Sequence, residues 1–303
     1  MIDVCLLGTG GTMPLPERAL TSLCVRYSGS SFLVDCGEGT QVQLRKAGLS
    51  MHDIDAILVT HCHADHISGL PGLLLSMAKS DRREPVVITA PPGAAAVIRS
   101  VCVICANLPF DVSIREMTGA HSEFELKGLH ITAQSADHSV VCLAYSFEVR
   151  RRGRFDPQKA RALGVDVNLW SVLQRGETVS AGGRPIAPDM VMGAPRKGLK
   201  VTYITDTRPT PELRALAEGS DLLICEGMYA EESKAKMARE KKHMTFSEAA
   251  MLAREARAAR LWLTHFSPSL DDPYRFTDRL QEMFECSLIP HDLEKTELLF
   301  RKE

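Results

Sequence analysis

Short apolar runs that stop at a side chain able to bind metal recur along this chain. Ala56-Ile57-Leu58-Val59 leads to His61, Leu129 to Ala133 leads to Asp137-His138, and Val201-Thr202-Tyr203-Ile204-Thr205 ends at Asp206. Asp221-Leu222-Leu223-Ile224-Cys225 ends at Glu226, and Leu261-Trp262-Leu263-Thr264 ends at His265. Runs of this length, rich in branched residues and bounded by polar ones, predict buried strands. Ligand sites of layered α/β proteins form beyond the carboxyl ends of such strands, so position as well as residue type marks these five groups.

Two other runs lead into glycine-rich loops, Leu6-Leu7-Gly8-Thr9-Gly10-Gly11-Thr12 and, after Phe32-Leu33-Val34, Asp35-Cys36-Gly37-Glu38-Gly39-Thr40. The first lacks both the P-loop lysine and dinucleotide spacing, and reads as a tight turn that lets backbone pass close to a site. Between the runs lie amphipathic segments. Thr210 is placed to cap a helix Pro211–Ala217, with proline at its first position. Thr245-Phe246-Ser247-Glu248 is a capping box that opens a helix over Ala249–Ala259, with Met251 and Leu252 on its apolar side. It leaves His243 in the preceding loop, near a helix amino terminus that favours anions.

With 303 residues, 45% of them hydrophobic and 24% charged, the chain can build one large globular domain or two modest ones. No apolar stretch is long enough to span a membrane and the amino terminus carries no basic signal region, which predicts a cytoplasmic protein. Nine cysteines, an odd number scattered over predicted elements, read as reduced and mostly buried thiols. Cys102 and Cys105 form a lone CxxC in an apolar stretch and read as core. The net charge of −2 is unevenly spread: residues 150–200 hold eleven Lys or Arg against four Asp or Glu, leaving about −9 on the rest. A polyanionic substrate would be drawn to that segment. Glycines at 164, 176, 182 and 183 break it into short pieces without a strong core pattern, as expected of an inserted arm.

The most specific feature is His61-Cys62-His63-Ala64-Asp65-His66. Alternation along an extended segment sends His61, His63 and Asp65 to one side, while the turn into a helix brings His66 to a second position. Three imidazoles and a carboxylate suit zinc, and one tetrahedral ion cannot use all four while keeping a position open for water. The hexapeptide thus predicts a metallohydrolase with up to two ions.

These residues resemble the metallo-β-lactamase superfamily, and their surroundings are similar to the ribonuclease Z family of tRNA 3′-processing endoribonucleases. The likeness runs through Val34-Asp35-Cys36-Gly37-Glu38-Gly39-Thr40-Gln41, Gly69-Leu70-Pro71-Gly72, His138-Ser139, Tyr203-Ile204-Thr205-Asp206-Thr207-Arg208-Pro209, His243-Met244-Thr245 and Leu263-Thr264-His265. The resemblance implies an α/β fold, a four-layer αββα sandwich, over a single domain 1–303 with a basic arm at about 150–200. It implies one Zn2+ held by His61, His63 and His138, a second by Asp65, His66 and His265, and Asp206 bridging them. Manganese or iron satisfy the same donors. Asp65 would orient or deprotonate the attacking water shared by the ions, and His243, held by Glu226, would protonate the leaving oxygen. Arg18, Arg151, Arg152 and Arg154 are the candidate substrate contacts. The implied function is cleavage of the 3′ trailer of precursor tRNA by a homodimer in which one subunit's arm serves its neighbour.

The sequence also departs from that family. Cys225-Glu226-Gly227-Met228 stands where the family has His-Glu-Ala-Thr, and His243-Met244-Thr245 where it has His-Ser-Thr. Pro14-Leu15-Pro16-Glu17-Arg18-Ala19 keeps the proline and arginine of a Pro-x-Lys-x-Arg-Asn loop, and the arm has Val167-Asn168-Leu169-Trp170 in place of a Gly-Pro motif. These changes leave a hydrolase of small phosphodiesters or other small esters as the alternative. A non-catalytic RNA-binding relative is a third reading, opposed by the complete set of ligand positions.

Overall fold

The computed structural model describes residues 1–300. The chain forms two compact units, Val149–Gly198 and the remainder. In the larger unit two seven-stranded sheets are built. The first runs in the order Glu294–Leu298, Ile2–Gly8, Ser22–Tyr27, Ser30–Val34, Ile54–Leu58, Val86–Ala90, Val112–Glu116. The second runs Ser287–Leu288, Leu261–Thr264, Leu222–Glu226, Arg196–Ile204, Cys142–Arg151, Leu129–Ala136, His121–Leu126.

Period-two alternation then sorts side chains into layers. Cys5, Leu7, Cys24, Leu33, Ile57 and Val59 face the helices Thr40–Lys46, Leu70–Lys79 and Ala94–Val101, packing with Leu44, Leu73, Met77 and Ile98. On the second sheet, Ile204, Leu223, Cys225 and Leu263 face helices Pro211–Ala217, Phe246–Glu255 and Thr277–Met283, packing with Leu213, Ala249, Leu252 and Leu280. Residues of opposite parity meet between the sheets: Phe32 lies 6.4 Å from Phe147, and Tyr203 Oη sits 2.9 Å from Thr21 Oγ1. Tyr145 donates to the Val59 carbonyl at 2.8 Å. The result is helix, sheet, sheet, helix: an α/β sandwich with four layers. Each fully buried Leu, Ile or Phe contributes about 1.5–3 kcal/mol, so strand ends rooted in these layers are rigid platforms.

Strand direction decides where the site lies. Ser30–Val34, Ile54–Leu58, Val86–Ala90 and Val112–Glu116 are parallel, as are Arg196–Ile204, Leu222–Glu226, Leu261–Thr264 and Ser287–Leu288. Within each parallel set the carboxyl ends share one edge, so Asp35 and His61 emerge together from the first sheet, and Asp206, Glu226 and His265 from the second.

Three local expectations change. The helix after Thr245 runs Phe246–Glu255 and not Ala249–Ala259, because the capping box is complete and fixes the start, while Arg257 turns left-handed (φ 52°) beyond the Ala256 cap. Met251 is half exposed on this helix; only Leu252 of the pair points inward. The smaller unit does have a core, formed by Ala160, Val165, Leu173, Val179, Ile186 and Val191. Its helices Pro157–Ala162 and Trp170–Arg175 and its hairpin Val179–Ala181/Arg184–Ile186 are too short to print a periodicity. Gly182 and Gly183 close that hairpin with φ of 57° and 74°, the pair of positive values that a two-residue turn of matching twist requires.

All nine cysteines are unpaired. Cys102 and Cys105 pack against the outer core of the first sheet, and burial pushes the Cys102 thiol up to about 12, which keeps it protonated and unreactive. No helix among the described residues is long and apolar enough to cross a membrane.

Candidate metal centre and active site

His61 leaves the strand Ile54–Leu58 in extended conformation, which ends at His63, the N-cap of the short helix Ala64–Ile67. The sorting of the hexapeptide follows from that helix. His61 and His63 gather with His138 and Asp206, whereas Asp65 turns away with His66 to meet His265. Simple alternation misplaces Asp65, since the extended backbone stops two residues before it.

In the first group His61 Nε2 is 2.9 Å from His63 Nδ1, which is 3.4 Å from His138 Nε2. In the second, His66 Nε2 is 3.2 Å from His265 Nε2, and both approach Asp65 Oδ2, at 3.5 and 3.3 Å. Asp206 stands between the groups. Its Oδ1 lies 3.8 Å from both His61 and His138, its Oδ2 3.2 Å from His66 and 3.3 Å from His265. Donors on one tetrahedral ion at ~2.1 Å would be separated by about 3.4 Å, so these spacings fit metal ions. The chemistry fits as well: paired ring nitrogens at 2.9 and 3.2 Å need a proton or a cation between their lone pairs.

At His61, His138 and the two aspartates the electrostatics suit a cation. Burial pushes His61 well below the ordinary imidazole range, reinforced by His66 and opposed by Asp206, and burial likewise lowers His138. Burial would raise the two carboxyls, yet hydrogen bonds from His265 and His66 hold Asp65 far below the usual carboxylate range. The charges of His265, His66 and His61 do the same for Asp206. Neutral imidazoles and ionised carboxylates are the states that ligate metal. His66 is the exception: burial would lower it, but Asp206 and Asp35 raise it well above the ordinary range, so a metal ion there would displace its proton.

Backbone geometry aims these groups. Asp35 (φ 58°), Asp206 (φ 50°) and His265 (φ 59°) are all left-handed, each just beyond a parallel strand. Asp tolerates this region better than most residues, and three such positions at the carboxyl ends of the two parallel sets mark strain held in place by the surrounding layers. Gly11 lies against the His265 ring: a Cβ there would come within 2.6 Å of its Cε1. The glycine-rich loop therefore makes room for a ligand ring, and Thr12 N–H donates to Asp65 Oδ2 at 2.6 Å.

His243 and Glu226 sit beside this cluster. Glu226, fully buried at a strand end, accepts from His243 Nδ1 at 3.1 Å, from Met244 N at 3.0 Å and from Thr207 N at 2.6 Å. Burial alone would lower His243, but the Glu226 charge and hydrogen bond raise it, with help from Asp206 and Asp65. With Nδ1 engaged, Nε2 is the nitrogen left to meet a substrate.

Glu248, the capping-box residue, binds the Arg208 guanidinium. Burial would raise its carboxyl, but Arg208 and the Thr245 N–H hold it below its usual value. A depressed folded pKa contributes stability that is full above the unfolded value of about 4.3 and is lost as pH falls through the folded value. Glu248→Gln is expected to lower the melting temperature at neutral pH, with the gap to wild type narrowing as pH falls below the unfolded value of about 4.3. Thermal melts by circular dichroism check this; an unchanging gap between the two proteins would contradict it.

The expected substrate arginines divide. Arg18 is turned inward, 9% exposed, with its guanidinium over Phe266 and donating to the carbonyls of Ser267 (3.3 Å) and Leu270 (3.0 Å). It fastens the 267–271 loop, so its guanidinium is spent on backbone carbonyls and not left free for a phosphate. Arg152 and Arg154 are exposed and Arg151 half-buried in the smaller unit, where Arg151 donates to Lys197 O and Arg196 to Arg152 O.

Sequence reasoning missed several supporting residues. Asp35 Oδ2 lies 2.7 Å from His66 Nδ1, and Asp35 also accepts from Thr60 N and Oγ1, each at 2.8 Å. Lys242 accepts from His138 Nδ1 through its carbonyl (3.3 Å) and holds Asp137 Oδ1 with its ammonium (2.7 Å). The signal for Asp35 was its place at a strand end, the same signal that exposed Asp206.

Known proteins share this fold. The Beta-lactamase superfamily domain matches residues 190–266, and the family of the Anti-Pycsar protein Apyc1 matches residues 2–98. The short form of human tRNase Z superposes with a TM-score of 0.71 at 24% identity, covering 98% of this chain and 100% of that one. A diphosphatase of the PhnP family superposes at 0.69 with 20% identity, each chain covered in full. Fold and site together define a hydrolase of the metallo-β-lactamase fold. Ribonuclease Z of Lachnospira eligens is 48% identical over 303 residues, 100% of both chains, and that of Clostridium acetobutylicum 44% identical over 96% of both. The chain belongs to the ribonuclease Z family and is a hydrolytic endoribonuclease.

Proposed function

We propose that this protein removes the 3′ trailer from precursor tRNA, using two Zn2+ held by His61, His63 and His138 and by Asp65, His66 and His265, with Asp206 shared. The observation that carries the reading is the Asp206 carboxylate, which offers one oxygen to each group of histidines. When bound, the ions supply Lewis acidity, lowering the pKa of water and offsetting charge on the phosphoryl oxygens. The protein's residues handle the protons. Asp65, fixed by Thr12 N–H, orients the water, and the water's proton passes to it or to solvent. The water oxygen bonds to phosphorus, the P–O3′ bond breaks, and its electron pair takes the proton from His243 Nε2. A 3′-hydroxyl and a 5′-phosphate result.

Arg151, Arg152 and Arg154 belong to a segment of net +7, suited to RNA phosphates. Unpaired thiols suit a reducing cytoplasm. The test is incubation with precursor tRNAs, with and without an encoded CCA end, followed by mapping of the new termini. Cleavage at the 3′ side, abolished by EDTA and restored by zinc, is expected. Cleavage by fully demetallated protein would overturn the reading, as would turnover of small phosphodiesters with precursor tRNA untouched.

A further inference from the structure

Arg208 joins three loops that carry the proposed chemistry. It follows Asp206 by two residues, and its backbone N–H donates to the carbonyl of Asp137 at 3.1 Å, tying it to the strand end that bears His138. Asp137 N–H in turn donates to Thr207 Oγ1 at 2.9 Å. The guanidinium reaches the other way. Nη1 donates to Glu248 Oε2 at 2.9 Å and to the His243 carbonyl, and Nη2 donates to Glu248 Oε1. Glu248 is itself fixed, accepting from Thr245 N at 2.9 Å in the capping box.

We infer that Arg208 is a positioning residue for His243, clamping its backbone while Glu226 clamps its ring, so that the proton reaches the departing 3′-oxygen. The inference rests on the assignment of His243 as proton donor in the proposed function. A guanidinium bound only to Glu248 would be a helix-end ion pair with no bearing on chemistry. The additional donation to the His243 carbonyl separates this arrangement from that one, because it fixes the loop from which the imidazole projects. The fork is planar and binds the carboxylate through two nitrogens, a geometry lysine cannot copy. Misplacement of a reacting group by about 1 Å can slow a reaction about a hundredfold.

The leaving group supplies the test. A ribose hydroxyl needs a proton to depart; p-nitrophenolate does not. Holoenzyme carrying Arg208→Ala is expected to cleave precursor tRNA at least tenfold more slowly in kcat, with KM little changed, and to hydrolyse bis(p-nitrophenyl) phosphate within about threefold of wild type. The double variant with His243→Ala should be no slower on RNA than His243→Ala alone, since both changes remove one proton transfer. Equal losses on the two substrates, or no loss on RNA, would overturn the clamp. Should Arg208→Ala not fold, Arg208→Lys and Glu248→Gln carry the same comparison. A wild-type protein that hydrolyses the aryl ester yet leaves precursor tRNA intact would defeat the RNA reading instead; the leaving-group comparison is then made with a dinucleoside monophosphate.

Discussion

Asp206→Ala is expected to slow RNA cleavage by about a thousandfold or more and to leave fewer than two ions bound per chain. The size follows from position. One carboxylate faces His61 and His138 through Oδ1 and His66 and His265 through Oδ2, so its removal opens both groups at once. His265, His66 and His61 keep it ionised against its burial, and an alanine would leave those imidazoles without their shared anion. Asp206→Asn separates charge from shape: it keeps the volume and one acceptor oxygen and should still lose most activity. Single-turnover cleavage of labelled precursor tRNA, with metal content measured on the same preparations, checks both variants. Two ions per chain and more than a tenth of wild-type activity in Asp206→Ala would sink the bridging arrangement.

Much of this site is legible in the sequence because buried parallel strands leave such short, strongly apolar signatures. Ile54–Leu58, Leu222–Glu226 and Leu261–Thr264 each appear as a run, and each run delivers a polar residue at its end. What the sequence conceals is direction. The left-handed backbone at Asp35, Asp206 and His265 turns side chains toward a common centre, and no periodicity reports a single φ value. The division of the hexapeptide between two groups depends on where extended backbone becomes helix, and alternation assigned Asp65 to the wrong side. Arg18 is illegible for another reason. A guanidinium looks alike in sequence whether it meets phosphate or backbone carbonyls, and here the 267–271 loop takes it. The core of Val149–Gly198 stayed hidden because elements of three to six residues bury too few side chains each to show a pattern.

Asp35 is the residue that sequence pattern undervalued most, and its replacement is expected to have the second-largest effect. It is fully buried and spends its carboxylate on His66 Nδ1 and on the amide and hydroxyl of Thr60. Through the first contact it holds the Nδ1 proton of His66, which leaves Nε2 as the nitrogen directed at His265, Asp65 and Asp206. A carboxylate behind a ligating histidine fixes its tautomer and raises its basicity, and losing one costs about 10- to 100-fold in metal affinity or activity. Asp35→Ala also takes from the Thr60 amide and His66 Nδ1 the carboxylate that accepts from them, a further penalty of about 1–3 kcal/mol per buried donor left unsatisfied. The two consequences can be told apart. If Asp35 acts through His66, excess zinc should restore much of the activity of Asp35→Asn while its melting temperature stays depressed without metal. If its role is only to hold the Thr60 turn, added zinc will leave activity low, because the defect would then lie in the platform and not in the orientation of the ring.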